Sequence, residues 1–129
     1  MTLTPLGIQV IRESDEGIGS LDFRCLFTSK KGVPLSVGIE FKLAHHKEIK
    51  KGIRNQLPAY LKAIRSKSGI FSIMWFKDKD GKIFNEPKYE KESFIAWLNK
   101  EAVNVSKDTG NTIISSVIDT SIKASASNL

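Results

Sequence analysis

Three residues, Asp22, Glu40 and Lys42, have the types and spacing needed to bind a divalent cation and act on a phosphate. Glu40 and Lys42 alternate with apolar residues over 37–43, which predicts a strand with its apolar side facing the core. Side chains two residues apart on a strand lie on the same face, about 7 Å apart, so a carboxylate and an ammonium emerge together. An ion pair on a solvated sheet face accounts for this segment equally well.

A second carboxylate lies on the neighbouring predicted strand. Asp22 belongs to the strand predicted over residues 21–27, and the turn at 29–32 joins this strand to the next one as a hairpin. Mg²⁺ typically takes one or two protein carboxylates and keeps several waters, so Asp22 and Glu40 could hold Mg²⁺ or Mn²⁺. Such a metal lowers the pKa of its bound water, and Lys42 could orient that water or offset charge on a phosphate.

A basic helix is predicted over residues 45–66, where apolar residues recur at three- and four-residue spacing. Pro58 interrupts this pattern, so the helix either kinks near Arg54 or ends and is followed by a second helix with Pro58 in its first turn. From Lys42 to Lys67 the chain has eight Lys or Arg residues and one acid, which favours a phosphate backbone as partner. The residues predicted to contact it are Lys47, Lys50, Lys51 and Arg54.

The remaining elements complete an alternating pattern of strands and helices. Residues 6–11 fit either a strand or one to two helical turns, and 13–20 form an acidic loop. Residues 69–76 are nearly all apolar, which predicts a central strand reached by a parallel crossover. An amphipathic helix is predicted from Glu90 to Ala102, with Phe94, Trp97 and Leu98 buried, and a last helix from Asn111 to about residue 123.

Length, charge and cysteine content restrict the class of protein. The 129 residues suffice for one domain with a hydrophobic core, and 40% of them are hydrophobic. Because the chain has no apolar run of about 18 residues and no signal-peptide pattern at its start, we expect no membrane association and a cytoplasmic location. One cysteine excludes an internal disulfide, and the net charge of +6 favours a polyanionic partner.

The order of these features resembles the PD-(D/E)xK phosphodiesterase superfamily, which includes type II restriction enzymes, Holliday junction resolvases and RecB-type nucleases. The matching positions are Asp22, the triplet Glu40-Phe41-Lys42 and, as in the RecB-like branch, Gln56 and Tyr60 at Gln-x-x-x-Tyr spacing. The resemblance covers about residues 13–76 and implies an α/β fold. That fold has a restriction endonuclease-like core, a mixed central β-sheet flanked by helices, within a single domain over residues 1–129.

The resemblance also implies a role for each matching residue. Asp22 and Glu40 would bind Mg²⁺ or Mn²⁺, the main-chain carbonyl of Phe41 would add a metal ligand, and Lys42 would assist the attacking water. The Gln-x-x-x-Tyr pair would position DNA or the metal site. The implied activity is metal-dependent hydrolysis of DNA phosphodiester bonds, in restriction, defence or repair.

The start of the chain departs from the family pattern, because the family core usually opens with a helix that often bears one more acid. Little chain precedes Asp22, so Glu13 or Glu16 would have to supply that additional acid. The chain is therefore either a small complete nuclease or the nuclease domain of a larger protein. Type II restriction enzymes often act as homodimers, which is one arrangement open to this chain.

Three functions remain open from the sequence: a metal-dependent nuclease, a catalytically inactive nucleic-acid-binding module of the same fold, and a protein-interaction domain. The presence of Asp22, Glu40 and Lys42 together favours the nuclease over the inactive module, since a site without catalytic activity does not require all three. The basic helix favours the first two over the third, because it directly follows the candidate metal site.

Overall fold

Within the described residues, 2–3, 7–12, 22–78 and 82–120 of a computed structural model, six strands form one mixed β-sheet. The order of the strands across the sheet is their order along the chain, from β1 to β6. The strands are β1 (Thr2–Leu3), β2 (Ile8–Arg12), β3 (Phe23–Thr28), β4 (Pro34–Leu43), β5 (Ser68–Trp75) and β6 (Thr112–Asp119).

The first four strands pair antiparallel, and β4, β5 and β6 pair parallel. The hairpin predicted between β3 and β4 is confirmed. Gly32 adopts a positive φ of 79° in its turn, and Pro34 is the first residue of β4, where its missing N–H costs no ladder hydrogen bond. The predicted mixed α/β sheet with a parallel crossover into β5 is also confirmed.

The crossover from β4 to β5 is one helical segment with an irregular middle. It consists of α1 (Ile49–Lys51), a π-helical turn (Gly52–Gln56) and α2 (Leu57–Ala63). Pro58 lies in the first turn of α2, as one alternative predicted, but the helix does not end before it. A proline has no N–H and clashes with the preceding turn, and the wider π turn, where the Leu57 N–H donates to the Gly52 carbonyl, relieves that clash.

The prediction of a last helix after residue 111 is wrong. The helix predicted from Glu90 to Ala102 is α3 (Lys91–Thr109), which is longer than predicted. It ends at Gly110, whose φ of 76° is the left-handed conformation typical of a helix C-terminus. The chain then returns as strand β6 beside β5. Its β-branched residues, Ile113, Ile114, Val117 and Ile118, suit a pleated sheet better than a helix, and parallel pairing with an apolar neighbour decides between the two.

Both helical segments pack on the same face of the sheet. The strand order never reverses, so two crossovers of the same hand must lie on the same side. The contacts agree: a Cβ on Gly52 would lie 3.0 Å from the Phe71 ring of β5, and Phe94 of α3 lies 5.8 Å from Trp75 of the same strand. The core between helices and sheet includes Ile53, Leu57, Leu61, Phe71, Ile73 and Leu98, each fully buried.

The buried side of β4 is opposite to the one that the sequence predicted. Glu40 is only 5% exposed, whereas Leu43, on the apolar side, is 41% exposed. Gly38, Glu40 and Lys42 therefore lie beneath the helices. The apolar side of the strand belongs to the face on which no helix lies within the described residues. Alternation of residue types predicts that two faces differ, but it does not say which one the crossover helices cover.

Among the described residues no helix has the length and apolarity that a membrane span requires.

Candidate active site

The site forms where the helical segment crosses the last residues of β4. Gly52 permits this close approach, since a Cβ there would lie 3.0 Å from the Phe71 ring and 3.3 Å from Cε of Lys42. Any larger residue would push the segment away from the sheet. The segment therefore covers Glu40 and packs against the aliphatic stem of Lys42, which leaves the Lys42 side chain 16% exposed.

Glu40 and Lys42 form an ion pair within this covered region. The Lys42 Nζ lies 3.6 Å from Oε1 of Glu40, and the Glu40 side chain is 6% exposed. The second oxygen, Oε2 of Glu40, is buried and has no hydrogen-bond partner. A buried carboxylate oxygen without a partner is unfavourable, so this atom is available to a cation or a donor that reaches the site.

The environment of Glu40 shifts its protonation equilibrium. Burial raises the pKa of the carboxyl from 4.5 to about 7, the charge of Lys42 opposes that change, and the charge of Asp22 adds to it. Near neutral pH the group therefore divides between its acid and its carboxylate form. Carboxyl groups with a pKa raised in this way are concentrated at functional sites, because a bound cation or a proton transfer makes use of them.

Asp22 reaches the same site from the adjacent strand. It immediately precedes β3, and its Oδ2 accepts a hydrogen bond of 2.6 Å from the backbone N–H of Phe41. Its own N–H donates to the carbonyl of Ile39 at 3.2 Å, so the residue is held to β4 at two points. The structure thus brings Asp22 together with the triplet that contains Glu40 and Lys42.

Phe41 takes part in the site through its backbone. Its N–H binds Asp22, and in a strand the carbonyl of the same residue points to the same side. Its ring lies on the other face of the sheet, 5.8 Å from Phe23 and perpendicular to it. Ligation of a metal by the Phe41 carbonyl stays a prediction, and its position beside Asp22 is compatible with that role.

The donor set fits a hard divalent cation with few protein ligands. Among the described residues no three His, Cys, Asp or Glu side chains form a group that could hold a metal. Two carboxylates, Asp22 and Glu40, meet at the site, and one or two are typical for Mg²⁺, which keeps water as its other ligands. The unpartnered Oε2 of Glu40 is the observation that favours a cation here. Glu13 and Glu16, proposed as an additional acid, lie outside the described residues.

The predicted Gln-x-x-x-Tyr pair is divided between two environments. Gln56 ends the π turn on the same side of the segment as Gly52, and its Oε1 is buried without a hydrogen-bond partner. This amide is therefore positioned for a ligand or a neighbour near the site. Tyr60 is half-buried and packs against the hydrophobic core, as expected for a continuation of the apolar stripe.

The predicted phosphate-binding residues also differ in their surroundings. Lys47, Lys50 and Lys51 are exposed, as that role requires. Arg54 binds the carboxylate of Glu101 on α3 through two hydrogen bonds, one of them 2.8 Å from Nη2 to Oε1. This pair joins the two helical segments and lowers the pKa of Glu101. This pair was not predictable from the sequence, because the two residues are 47 positions apart.

A family model described as Domain of unknown function (DUF8371) matches residues 2–78. The match runs from β1 to the end of β5 and includes Asp22, Glu40, Lys42 and Gln56. No curated protein and no solved structure matches the chain.

Proposed function

Since the chain belongs to this domain family of unknown function, we propose from its own geometry that it is a metal-dependent nuclease acting on DNA phosphodiester bonds. The observation that carries the proposal is that Asp22, Glu40 and Lys42 come together near the carboxyl end of β4, beneath the helical segment. A restriction endonuclease-like core is part of the proposal. Three antiparallel strands followed by a helical crossover to a parallel strand support it.

Asp22 and Glu40 would hold Mg²⁺ or Mn²⁺, which supplies charge stabilisation at the phosphate and lowers the pKa of a bound water. Glu40 contributes through its free Oε2, and a cation beside it favours the ionised form of a carboxyl whose pKa is about 7 without one. The hydrogen bond from Phe41 N–H fixes the orientation of the Asp22 carboxylate.

Lys42 acts as a donor beside these carboxylates. Its Nζ lies 3.6 Å from Oε1 of Glu40, and its stem runs close to the backbone of Gly52. Its position is therefore set before substrate arrives. From there it would donate a hydrogen bond to the attacking water or to a phosphate oxygen. The Gln56 amide, whose Oε1 lacks a partner, would position the substrate or the water. Lys47, Lys50 and Lys51 would bind flanking phosphates.

The test compares cleavage of plasmid and single-stranded DNA in Mg²⁺, Mn²⁺ or EDTA by the wild type and three variants. Asp22→Ala and Glu40→Ala should lose both cleavage and calorimetric metal binding, since each removes a ligand. Lys42→Ala should lose cleavage by roughly two to four orders of magnitude while it retains metal binding. Lys30→Ala, at an exposed position of the β3–β4 turn, is the matched lysine control and should cleave like the wild type.

Two results would overturn the nuclease proposal. If the wild type binds DNA but takes up neither metal with DNA present, a catalytically inactive nucleic-acid-binding module replaces it. If the wild type binds no nucleic acid at all, the basic surface is solvated and the protein-interaction reading replaces both. Circular dichroism of each variant separates loss of function from loss of fold.

A further inference from the structure

A cavity of about 350 Å³, separate from the candidate metal site, opens between the loop that follows β4 and the first half of α3. Its volume lies at the lower end of the range for small-ligand sites, roughly 300–1,000 Å³. Ile49 and Ser93 form part of its wall, and the rest is aromatic or basic. None of the nuclease residues discussed above for metal binding lines it, so its chemistry needs a separate account.

Three aromatic residues, Tyr89, Phe94 and Trp97, line the cavity, and Trp75 packs against two of them. Trp75 and Phe94 are core residues, 4% and 5% exposed, whereas Tyr89 is 45% and Trp97 37% exposed. Tyr89 and Phe94 stack with centroids 5.4 Å apart and an angle of 24°, and Phe94 and Trp97 lie 5.9 Å apart at 30°. Phe94 thus neighbours both exposed rings, and Tyr89 and Trp97 each leave part of a ring open to the cavity, where a flat ligand can pack. The sequence prediction that Trp97 is buried is wrong, because its ring lines this open cavity.

The exposed ring of Tyr89 is held in place before any ligand binds. Its hydroxyl donates a 2.8 Å hydrogen bond to the carbonyl of Ala44, in the loop after β4. A tyrosine hydroxyl is protonated near neutral pH, and burial raises the pKa of this one further, so it remains a donor. A fixed aromatic surface loses little conformational freedom when it stacks with a ligand, so little affinity is lost to ordering.

The wall of the cavity formed by residues 46–50 is positively charged. Lys47 and Lys50 line it together with His46, and no acidic residue is among the lining residues. The backbone N–H of Glu48 donates to Nδ1 of His46 at 3.0 Å, so a neutral imidazole carries its proton on Nε2 and can donate it to a ligand. An aromatic wall on one side and a basic wall on the other suit a ligand that is aromatic at one end and anionic at the other.

We infer that this cavity binds an unstacked base of a single-stranded nucleic acid, with the base against Trp97 and Tyr89 and its phosphate at Lys47 and Lys50. Single-strand binding sites commonly combine stacking on aromatic side chains with a basic groove. Ala44 follows Lys42 by two residues, so the cavity adjoins the carboxyl end of β4. This placement rests on the proposed nuclease, since it sets a base beside the cleavage site, but binding of the base needs no metal.

The test uses short single-stranded DNA with one 2-aminopurine, whose fluorescence is quenched by stacking, in EDTA so that no cleavage occurs. The wild type should quench the probe, and Trp97→Ala should weaken binding by about 5- to 150-fold with loss of quenching. Trp97→Phe, which keeps a flat ring, should restore most of both. Lys47→Ala with Lys50→Ala should weaken binding and reduce its salt dependence, while quenching at saturation remains.

The matched control replaces Lys30 and Lys31, two exposed lysines of the β3–β4 turn, and should leave affinity and quenching unchanged. Unchanged quenching in Trp97→Ala would overturn the inference. So would binding of an apolar anion such as anilinonaphthalene sulfonate, dependent on Trp97, without binding of any oligonucleotide. If the wild type quenches the probe but does not cleave DNA in Mn²⁺, the nuclease proposal is rejected and this site is retained. If cleavage is the same in Trp97→Ala as in the wild type and quenching is absent, this site is rejected and the nuclease proposal is retained.

Discussion

Replacement of Glu40 by Gln should stabilise the protein at neutral and alkaline pH and have little pH-dependent effect in acid. The carboxyl is 5% exposed, and its pKa is raised mainly by burial. Gln has the same shape and cannot ionise, so the substitution removes the cost of holding a carboxylate in this position. Any constant effect of the new amide is the same at every pH, and the pH dependence therefore isolates the charge.

The magnitude follows from the difference between the folded and unfolded pKa values. The pKa of Glu40 is 4.5 when the chain is unfolded and about 7 when it is folded. One pKa unit corresponds to about 1.4 kcal/mol, so Glu40→Gln should gain roughly 3 kcal/mol over the wild type at high pH. For a domain of this size such a gain is a large part of the total stability.

The sign depends on which state releases its proton first. Below pH 4.5 both states keep the proton, and the wild type has no penalty. Between pH 4.5 and about 7 the unfolded chain ionises first and binds fewer protons, so the stability of the wild type falls relative to the variant. Above this range both states are ionised, and the difference stays constant.

Urea unfolding followed by circular dichroism across this pH range, with EDTA present, measures the effect. Glu101→Gln is the matched control of opposite sign: Arg54 lowers the pKa of Glu101, so its stabilising effect is present at neutral pH and is lost in acid. The reasoning would be refuted if the difference in free energy of unfolding between the wild type and Glu40→Gln were the same in acid and in alkali. That result would mean that Glu40 has the same pKa in the folded and the unfolded chain.

Three further outcomes follow from the same contacts. Lys42→Met should raise the pKa of Glu40 above about 7 in an NMR titration, because the ammonium lowers it in the wild type. Gly52→Ala should lower the unfolding temperature in calorimetry, since its methyl would lie 3.0 Å from a core ring, and overpacking typically costs about 1–3 kcal/mol. Arg54→Ala should destabilise the protein and raise the pKa of Glu101, and Arg54→Lys should restore the stability only in part.

The parts of the site that lie on strands were predictable from the sequence. Apolar alternation and the turn at 29–32 predicted two adjacent strands, and these strands do bring Asp22 beside Glu40 and Lys42. The apolar run after the basic helix predicted a parallel neighbour, which is β5. In each case the deciding signal is local: residue types within one strand or one turn.

The parts that depend on packing between distant elements were not predictable. The sequence predicted Glu40 on the side of β4 opposite the core and a helix for residues 112–119, and both predictions were wrong. Burial of Glu40 results from the side on which the crossover helix lies, and strand β6 forms because β5 offers it a free edge. The Arg54–Glu101 pair and the exposure of Trp97 likewise depend on where α3 packs.

The π-helical turn sets the rotational phase between the two halves of the crossover. It adds one residue relative to an α-helix, and one residue corresponds to about 100° of rotation. Because of that extra residue, Gly52 faces Lys42 while Leu57 and Leu61 still face the sheet at Gly69. Deletion of one residue from the turn would bring a side chain where the glycine now lies. We therefore expect the turn to tolerate substitution at its exposed positions but not a change in its length.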